Sequence, residues 1–160
     1  MATSKTMAQT PEAQLQSIID KLDPAIQKLA KSVRAGLRKL FPTAHELAYD
    51  YPGSLVIAYS PSDRGIEGIV SFAARNTGVD LYFNQGPKLP DPKKLLKGSG
   101  KLTRFISLES ASALSHPDVK AFIASSIELS SVPLPAKGKG SLIVKSNKTA
   151  AAKKKPRRKS

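Results

Sequence analysis

The residues whose types and spacing most clearly predict a chemistry lie at the end of the chain. Six positive charges occur within seven residues, and only Pro156 interrupts them. Such a run neutralises nucleic-acid phosphates and releases counterions, which predicts weak binding that falls steeply with salt. No aromatic side chain accompanies the charges to stack on bases, so the predicted binding is non-specific. This terminal cluster, predicted to bind nucleic acid or another polyanion, consists of Lys153, Lys154, Lys155, Arg157, Arg158 and Lys159.

Two other functions share this composition. A short run of lysine and arginine is also typical of a nuclear-import signal. It would equally be attracted to an anionic membrane surface, by about 1 kcal/mol for each basic residue near that surface. The sequence offers no amphipathic helix or acylation signal as a second membrane anchor, so nucleic acid is the favoured partner.

Two groups of basic residues could widen the binding surface. The first, the helix patch, lies on one face of a predicted helix and comprises Lys28, Lys31, Arg34, Arg38 and Lys39. The second, the loop patch, follows a predicted hairpin and comprises Lys88, Lys93, Lys94, Lys97, Lys101 and Arg104. The competing interpretation of both patches is an ordinary solvated helix face and loop rim, and this interpretation is favoured.

Carboxylates are the only metal-ligand candidates, because the chain has no cysteine and only two histidines. Asp63 and Glu67 flank a loop and could converge, while Asp80 projects from a strand; each is favoured as a plain surface carboxylate. Glu46 and Asp50 share a strand face but stand about 13 Å apart, too far for one ion. The sequence therefore assigns no metal and no cofactor. Asp63, Glu67 and Asp80 are weak candidates for metal ligands.

Enzymatic chemistry is not indicated. No serine lies in a nucleophile-elbow context. The segment from Gly98 to Lys101 contains the glycines and lysine of a phosphate loop, but a helix precedes it and a strand follows it. A phosphate loop needs the reverse order, so that helix N–H groups face the phosphate. We expect a non-enzymatic protein.

Charge divides the 160-residue chain unevenly. The net charge is +14, and residues 132–160 hold ten bases and no acid. A cysteine-free chain without a signal peptide or a long apolar run predicts a cytoplasmic protein with no membrane span. We expect a disordered N-terminus over 1–9, one domain over 10–131 and a disordered basic tail over 132–160. As the less favoured alternative, Leu142-Ile143-Val144 docks on a sheet edge.

The elements that position these residues follow the order ααββββαβα. Helices are predicted from Pro11 and Pro24, with Pro42 ending the second. The remaining predicted elements are strands over 45–51, 55–59, 66–75, 79–84 and 102–108, a short helix over 92–97 and a last helix over 117–129. Successive strands joined by short turns predict an α+β fold in which an antiparallel sheet of about five strands packs against helices.

The segment from Asp80 to Leu108 resembles the YdhG-like family of small bacterial domains, mostly of unknown function. The resemblance is carried by an aromatic pair ending a strand (Tyr82, Phe83), an Asp-Pro start (Asp91, Pro92), a Leu-Leu pair (Leu95, Leu96), and Gly98-Ser99-Gly100-Lys101 leading to a strand with Arg104. It implies a frataxin-like or YdhG-like fold over most of residues 11–130. It also implies the alternative function, a frataxin-like intracellular iron-binding chaperone.

Overall fold

The computed structural model describes residues 10–98 and 103–145, and its fold is α+β. Two helices open the chain: α1, Pro11–Ile19, and α2, Pro24–Leu40. Five strands follow: β1, His45–Tyr51; β2, Ser54–Ser60; β3, Val70–Arg75; β4, Gly78–Phe83; and β5, Arg104–Leu108. Helix α3, Pro117–Leu129, and strand β6, Leu142–Lys145, complete the domain.

The strands form one sheet in the order β5-β4-β3-β2-β1-β6. Strands β1 to β5 pair as successive antiparallel neighbours, whereas β6 pairs with β1 in parallel. The predicted α+β class and antiparallel sheet are confirmed, with six strands rather than five. One row of residues crosses the sheet on its helix-facing side and shows how the register builds the core: Val144, Ala48, Ile57, Phe72, Leu81 and Ile106.

Local signals explain where the helices begin. The Thr10 hydroxyl accepts a hydrogen bond from the Ala13 N–H at 3.1 Å, and Pro11 occupies the first helical position, where its missing N–H costs nothing. Helix α2 buries Ala30, Val33 and Leu37, whose spacing of three and four residues places them on one face. That face packs across β3 and β4, so the opposite, basic face of α2 lies outward.

The predicted helix over 92–97 is wrong. The Asp91 carboxylate instead accepts hydrogen bonds from the N–H groups of Leu95 and Leu96, at 2.8 and 3.0 Å. Lys94 has a φ of 55°, in the left-handed region, and this reverses the chain after one turn. Lys97 then forms a β-bridge with Phe105. The side chain that would cap a helix thus closes a turn.

Two predicted strands begin later than expected. The predicted strand over 66–75 is β3, which begins at Val70, because Gly65–Glu67 forms a 3-10 turn. The predicted strand over 102–108 is β5, which begins at Arg104, and residue 102 lies outside the described residues. The three remaining strand predictions and the last helix agree with β1, β2, β4 and α3 to within one residue at each end.

The structure corrects the prediction of disorder throughout 132–160. Strand β6 pairs with β1 over four residues, from Glu46 opposite Leu142 to Tyr49 opposite Lys145. Leu142 and Val144 pack against the core, which supplies the apolar contacts that the segment lacks on its own. The less favoured alternative, docking on the sheet edge, is therefore correct. The predicted disorder of 1–9 and of the segment after Lys145 falls outside the described residues.

No helix within the described parts of the chain is long and apolar enough to cross a membrane.

Candidate functional site

The terminal cluster, from Lys153 to Lys159, lies outside the described residues, but the structure fixes the point from which it departs. Strand β6 ends at Lys145, which pairs with Tyr49 of β1. The Lys145 ammonium donates a hydrogen bond to the Asp63 carbonyl at 3.0 Å. Seven residues lie between Lys145 and Lys153, so eight Cα–Cα steps join the two. The first charge of the cluster is therefore held within about 28 Å of this sheet edge.

The helix patch is only partly available to a ligand. Lys28, Lys31, Arg38 and Lys39 are exposed on α2. Arg34 is different: its side chain is 14% exposed and is bound on both sides by carboxylates. Within the described part of the chain, the three lysines form no ion pair, so the solvated face carries four positive charges rather than the predicted five.

The loop patch lies beside β5, at one edge of the sheet. Arg34 of the helix patch contacts Glu46 of β1, which lies towards the opposite edge. Lys93 pairs with Asp118 at 3.1 Å, and Lys97 lies 3.5 Å from the Ser107 hydroxyl. Arg104 donates to the Thr103 carbonyl, Lys88 and Lys94 are exposed, and Lys101 lies outside the described residues. Four strand spacings, about 19 Å, separate β1 from β5. The structure thus does not bring the two patches together at this end.

The three carboxylates weighed as metal ligands do not converge. Glu67 pairs with Arg64 at 3.2 Å, and Asp80 pairs with Arg75 at 3.3 Å on the sheet face opposite the helices. Asp63 uses its backbone carbonyl to hold Lys145. Across residues 10–98 and 103–145, no three histidine or acidic side chains form a group that could hold a metal ion.

A buried ion-pair network, which the sequence analysis did not find, joins α1, α2, β1 and β2. Arg34 donates two hydrogen bonds to Glu46, from Nε at 2.9 Å and from Nη2 at 2.8 Å. It donates two more to Glu12, at 3.0 and 2.9 Å. The Tyr59 hydroxyl donates to Glu46 Oε2 at 2.7 Å. Since the Glu46 side chain is only 6% exposed, these partners replace the water that it lost on folding.

The network shifts the pKa values of Arg34, Tyr59 and Glu12. Burial lowers the pKa of Arg34, but its hydrogen bonds to Glu46 and Glu12 outweigh that effect, and the net shift is upward. Burial, then the adjacent negative charge of Glu46, raises the pKa of Tyr59 well above its usual value. The hydrogen bond from Arg34 lowers the pKa of Glu12. Arg34 and Tyr59 are thus held in the protonated forms that donate to Glu46.

The pKa of Tyr59 predicts that the fold loses stability in alkali. A phenol whose pKa is higher in the folded state contributes stability that is complete below the unfolded value, about 10, and is lost as pH rises above it. We expect the urea midpoint of the native chain to fall between pH 9 and pH 11, and to fall less in Tyr59→Phe. Tyr82→Phe, on the opposite sheet face, is the matched control. If both variants follow the native curve, Tyr59 does not carry this dependence.

Two cavities flank the network. The larger, about 410 Å³, lies between the end of α2, the start of β1 and the approach to β6. The smaller, about 250 Å³, lies between α1 and α2. Glu12 and Arg38 line both cavities. The network is therefore the wall that divides them.

A signal for this network exists in the sequence. Glu46 alternates with Leu47 in a strand whose even-numbered residues face the helices, and the basic residues Arg34 and Arg38 precede it on α2. An acid at a core-facing strand position requires a buried cation nearby.

Searches for similar proteins found no matching family model, no matching curated protein and no matching solved structure.

Proposed function

We propose that the chain is a non-enzymatic binding protein whose C-terminal charges attach it weakly and non-specifically to nucleic acid. The main observation in support of this proposal is the charge distribution: residues 132–160 contain ten basic residues and no acidic residue. Ordinary surface charge is mixed in sign, whereas a segment of one sign attracts a polyanion along its whole length. Dissociation constants of about 10⁻⁴ to 10⁻⁶ M at physiological salt are typical of such binding.

Two features of the described residues support this proposal. Strand β6 fixes the chain at the edge of the sheet, so the charges that follow it stay close to a folded domain. Lys28, Lys31 and Lys39 add exposed cations that no described carboxylate neutralises. A polyanion bound by the terminal cluster would therefore meet further positive charge on α2 rather than a repulsive surface.

The test is a salt series of fluorescence anisotropy with a labelled 20-base-pair duplex, using the full chain. Replacing all six residues of the terminal cluster by Gln removes six charges. The slope of log K against log salt should then become shallower by about 5, because each phosphate contact contributes about 0.9. The matched control removes six charges from the domain: Lys28, Lys31, Lys39, Lys93, Lys94 and Lys97, all replaced by Gln.

The comparison of the two variants decides the proposal. If the terminal variant loses affinity and slope while the domain variant changes little, the tail is the attachment site. Equal losses in both would place the site on the whole basic surface. Unchanged binding in the terminal variant would overturn the proposal.

We propose membership of the YdhG-like family on the motif between Asp80 and Leu108. The frataxin-like iron chaperone stays a prediction of that resemblance alone.

A further inference from the structure

We propose that the larger cavity beside the buried network binds a phosphate monoester of a small molecule. This inference concerns residues of the folded domain and does not depend on nucleic-acid binding by the tail. It is drawn from the cavity's construction, its charge and its apolar floor.

Three separate stretches of the chain build the cavity. Glu12 comes from α1, and Lys139 with Gly140 come from the segment that leads into β6. Arg38, Lys39 and Glu46 come from the stretch that runs from the last turn of α2 into β1. The Gly140 N–H donates to the Pro42 carbonyl at 3.4 Å, which holds the β6 segment against the end of α2. The volume of about 410 Å³ falls within the range of small-molecule pockets, roughly 300–1,000 Å³.

The charges around the cavity favour an anion. Lys39 and Lys139 form no ion pair with any carboxylate in the described residues. Arg38, 53% exposed, reaches Glu46 only at 3.8 Å. Three cations, those just named, thus face the cavity. In its wall, the two negative charges of Glu12 and Glu46 pair with the one positive charge of Arg34. The excess is two positive charges, which matches the charge of a phosphate monoester near neutral pH.

The two carboxylates in the wall do not block an anion, because their oxygens are already engaged. Glu46 Oε1 accepts from Arg34 Nη2, and Oε2 accepts from Arg34 Nε and from Tyr59. Both oxygens of Glu12 accept from Arg34. Arg34 and Arg38 together balance the two negative charges of these carboxylates. The charges of Lys39 and Lys139 face the cavity without a compensating carboxylate.

The floor of the cavity favours a ligand with an apolar body. Phe41 and Ala44 are buried in the core and line the cavity together with Pro42 and Leu142. A small organic group attached to the phosphate would rest on this surface and remove it from water. Arginine and lysine are the side chains that most often hold phosphate oxygens, by paired hydrogen bonds and by point charge respectively.

The experiment is a two-dimensional NMR titration of the full chain with phenyl phosphate, whose ring supplies the apolar body. Phenol and inorganic phosphate, titrated separately, test the two halves of the ligand. We expect saturable shifts at the amides of Lys39, Ala44 and Gly140, and weaker binding of either half alone. At about 10 mM probe, a site with a 1 mM dissociation constant is about nine-tenths filled.

Variants with equal charge loss separate this site from general attraction. Arg38→Gln with Lys139→Gln should weaken phenyl phosphate at least tenfold. Lys28→Gln with Lys120→Gln, on exposed helix positions away from the cavity, should leave the affinity unchanged. Matching thermal midpoints would show that both variants are folded. Shifts confined to residues after Lys145, no saturable shift at the cavity, or equal binding by the two variants would each overturn the proposal.

Discussion

Replacing Arg34 by Met is expected to lower the free energy of unfolding by about 3 kcal/mol or more. The loss comes less from the missing attraction than from what remains behind. Glu46, 6% exposed, would stay in the interior with the Tyr59 hydroxyl as its one close hydrogen-bond donor. Glu12 would lose both hydrogen bonds that tie α1 to α2. Urea denaturation at pH 7 measures the change.

Two control variants distinguish the cost of leaving the Glu46 charge buried and unpaired from the cost of losing one arginine. Arg38→Met removes a cation that is 53% exposed and 3.8 Å from Glu46, so it should cost no more than about 1 kcal/mol. The triple variant Arg34→Met, Glu46→Leu, Tyr59→Phe removes the whole buried polar group and should recover most of the lost stability. Equal effects of Arg34→Met and Arg38→Met would falsify the buried-network interpretation.

Replacing Gly140 by Ala is expected to displace β6 from the sheet. A methyl group at this position would overlap the backbone carbonyl of Ala44, which immediately precedes β1 and is held by its neighbours in the core. Backbone atoms do not yield as the end of a flexible side chain does, so the β6 segment must move. The Glu46 N–H, which donates to the Ser141 carbonyl at 2.9 Å, would lose its partner.

Hydrogen exchange at the Glu46 amide measures that displacement. We expect at least a tenfold faster exchange, equivalent to about 1.4 kcal/mol less protection. Gly138→Ala is the matched control, because a methyl group there meets nothing within 4 Å. Its φ of 95° strains the variant locally without touching β1. Similar exchange rates in the two variants would show that contact with Ala44 does not position β6.

The parts of the fold that the sequence predicted are those with local causes. Helices α2 and α3 each begin at a proline in the first helical position, and the α2 pattern places its apolar residues on one face. Tight turns join β1 to β2 and β3 to β4, and the five antiparallel strands are neighbours in the sheet in the order in which they occur in the sequence. Such signals need no knowledge of the rest of the chain.

The sequence predictions that were wrong concern segments whose conformation depends on residues far away in the sequence. Strand β6 has four residues, and it forms because β1 offers an unpaired edge and the core offers apolar surface to Leu142 and Val144. The turn at Asp91 has the sequence of a helix start, and only the left-handed Lys94 and the bridge from Lys97 to Phe105 decide against the helix. Hydrophobic period and capping residues do not contain that information.

The candidate sites divide in the same way. The terminal cluster is evident in the sequence because its charges are contiguous. The buried network required the positions of Glu12, Arg34 and Glu46 to be known together, since separations of 22 and 12 residues join its two halves. The cavity could not be predicted from the sequence. One of its walls is the segment that leads into β6, and that segment was expected to be disordered.

The parallel pairing of β6 with β1 has a consequence for the chain during its synthesis. The contact from His45 to Ser141 spans 96 residues, while β1 and β2 meet through a tight turn. A nascent chain can therefore complete its five antiparallel strands while one side of β1 still shows bare N–H and C=O groups. Such an edge is a template for pairing with another molecule. Strand β6 covers this edge late in synthesis and so protects the chain from aggregation. The chain is most prone to aggregate in the interval before β6 pairs with β1.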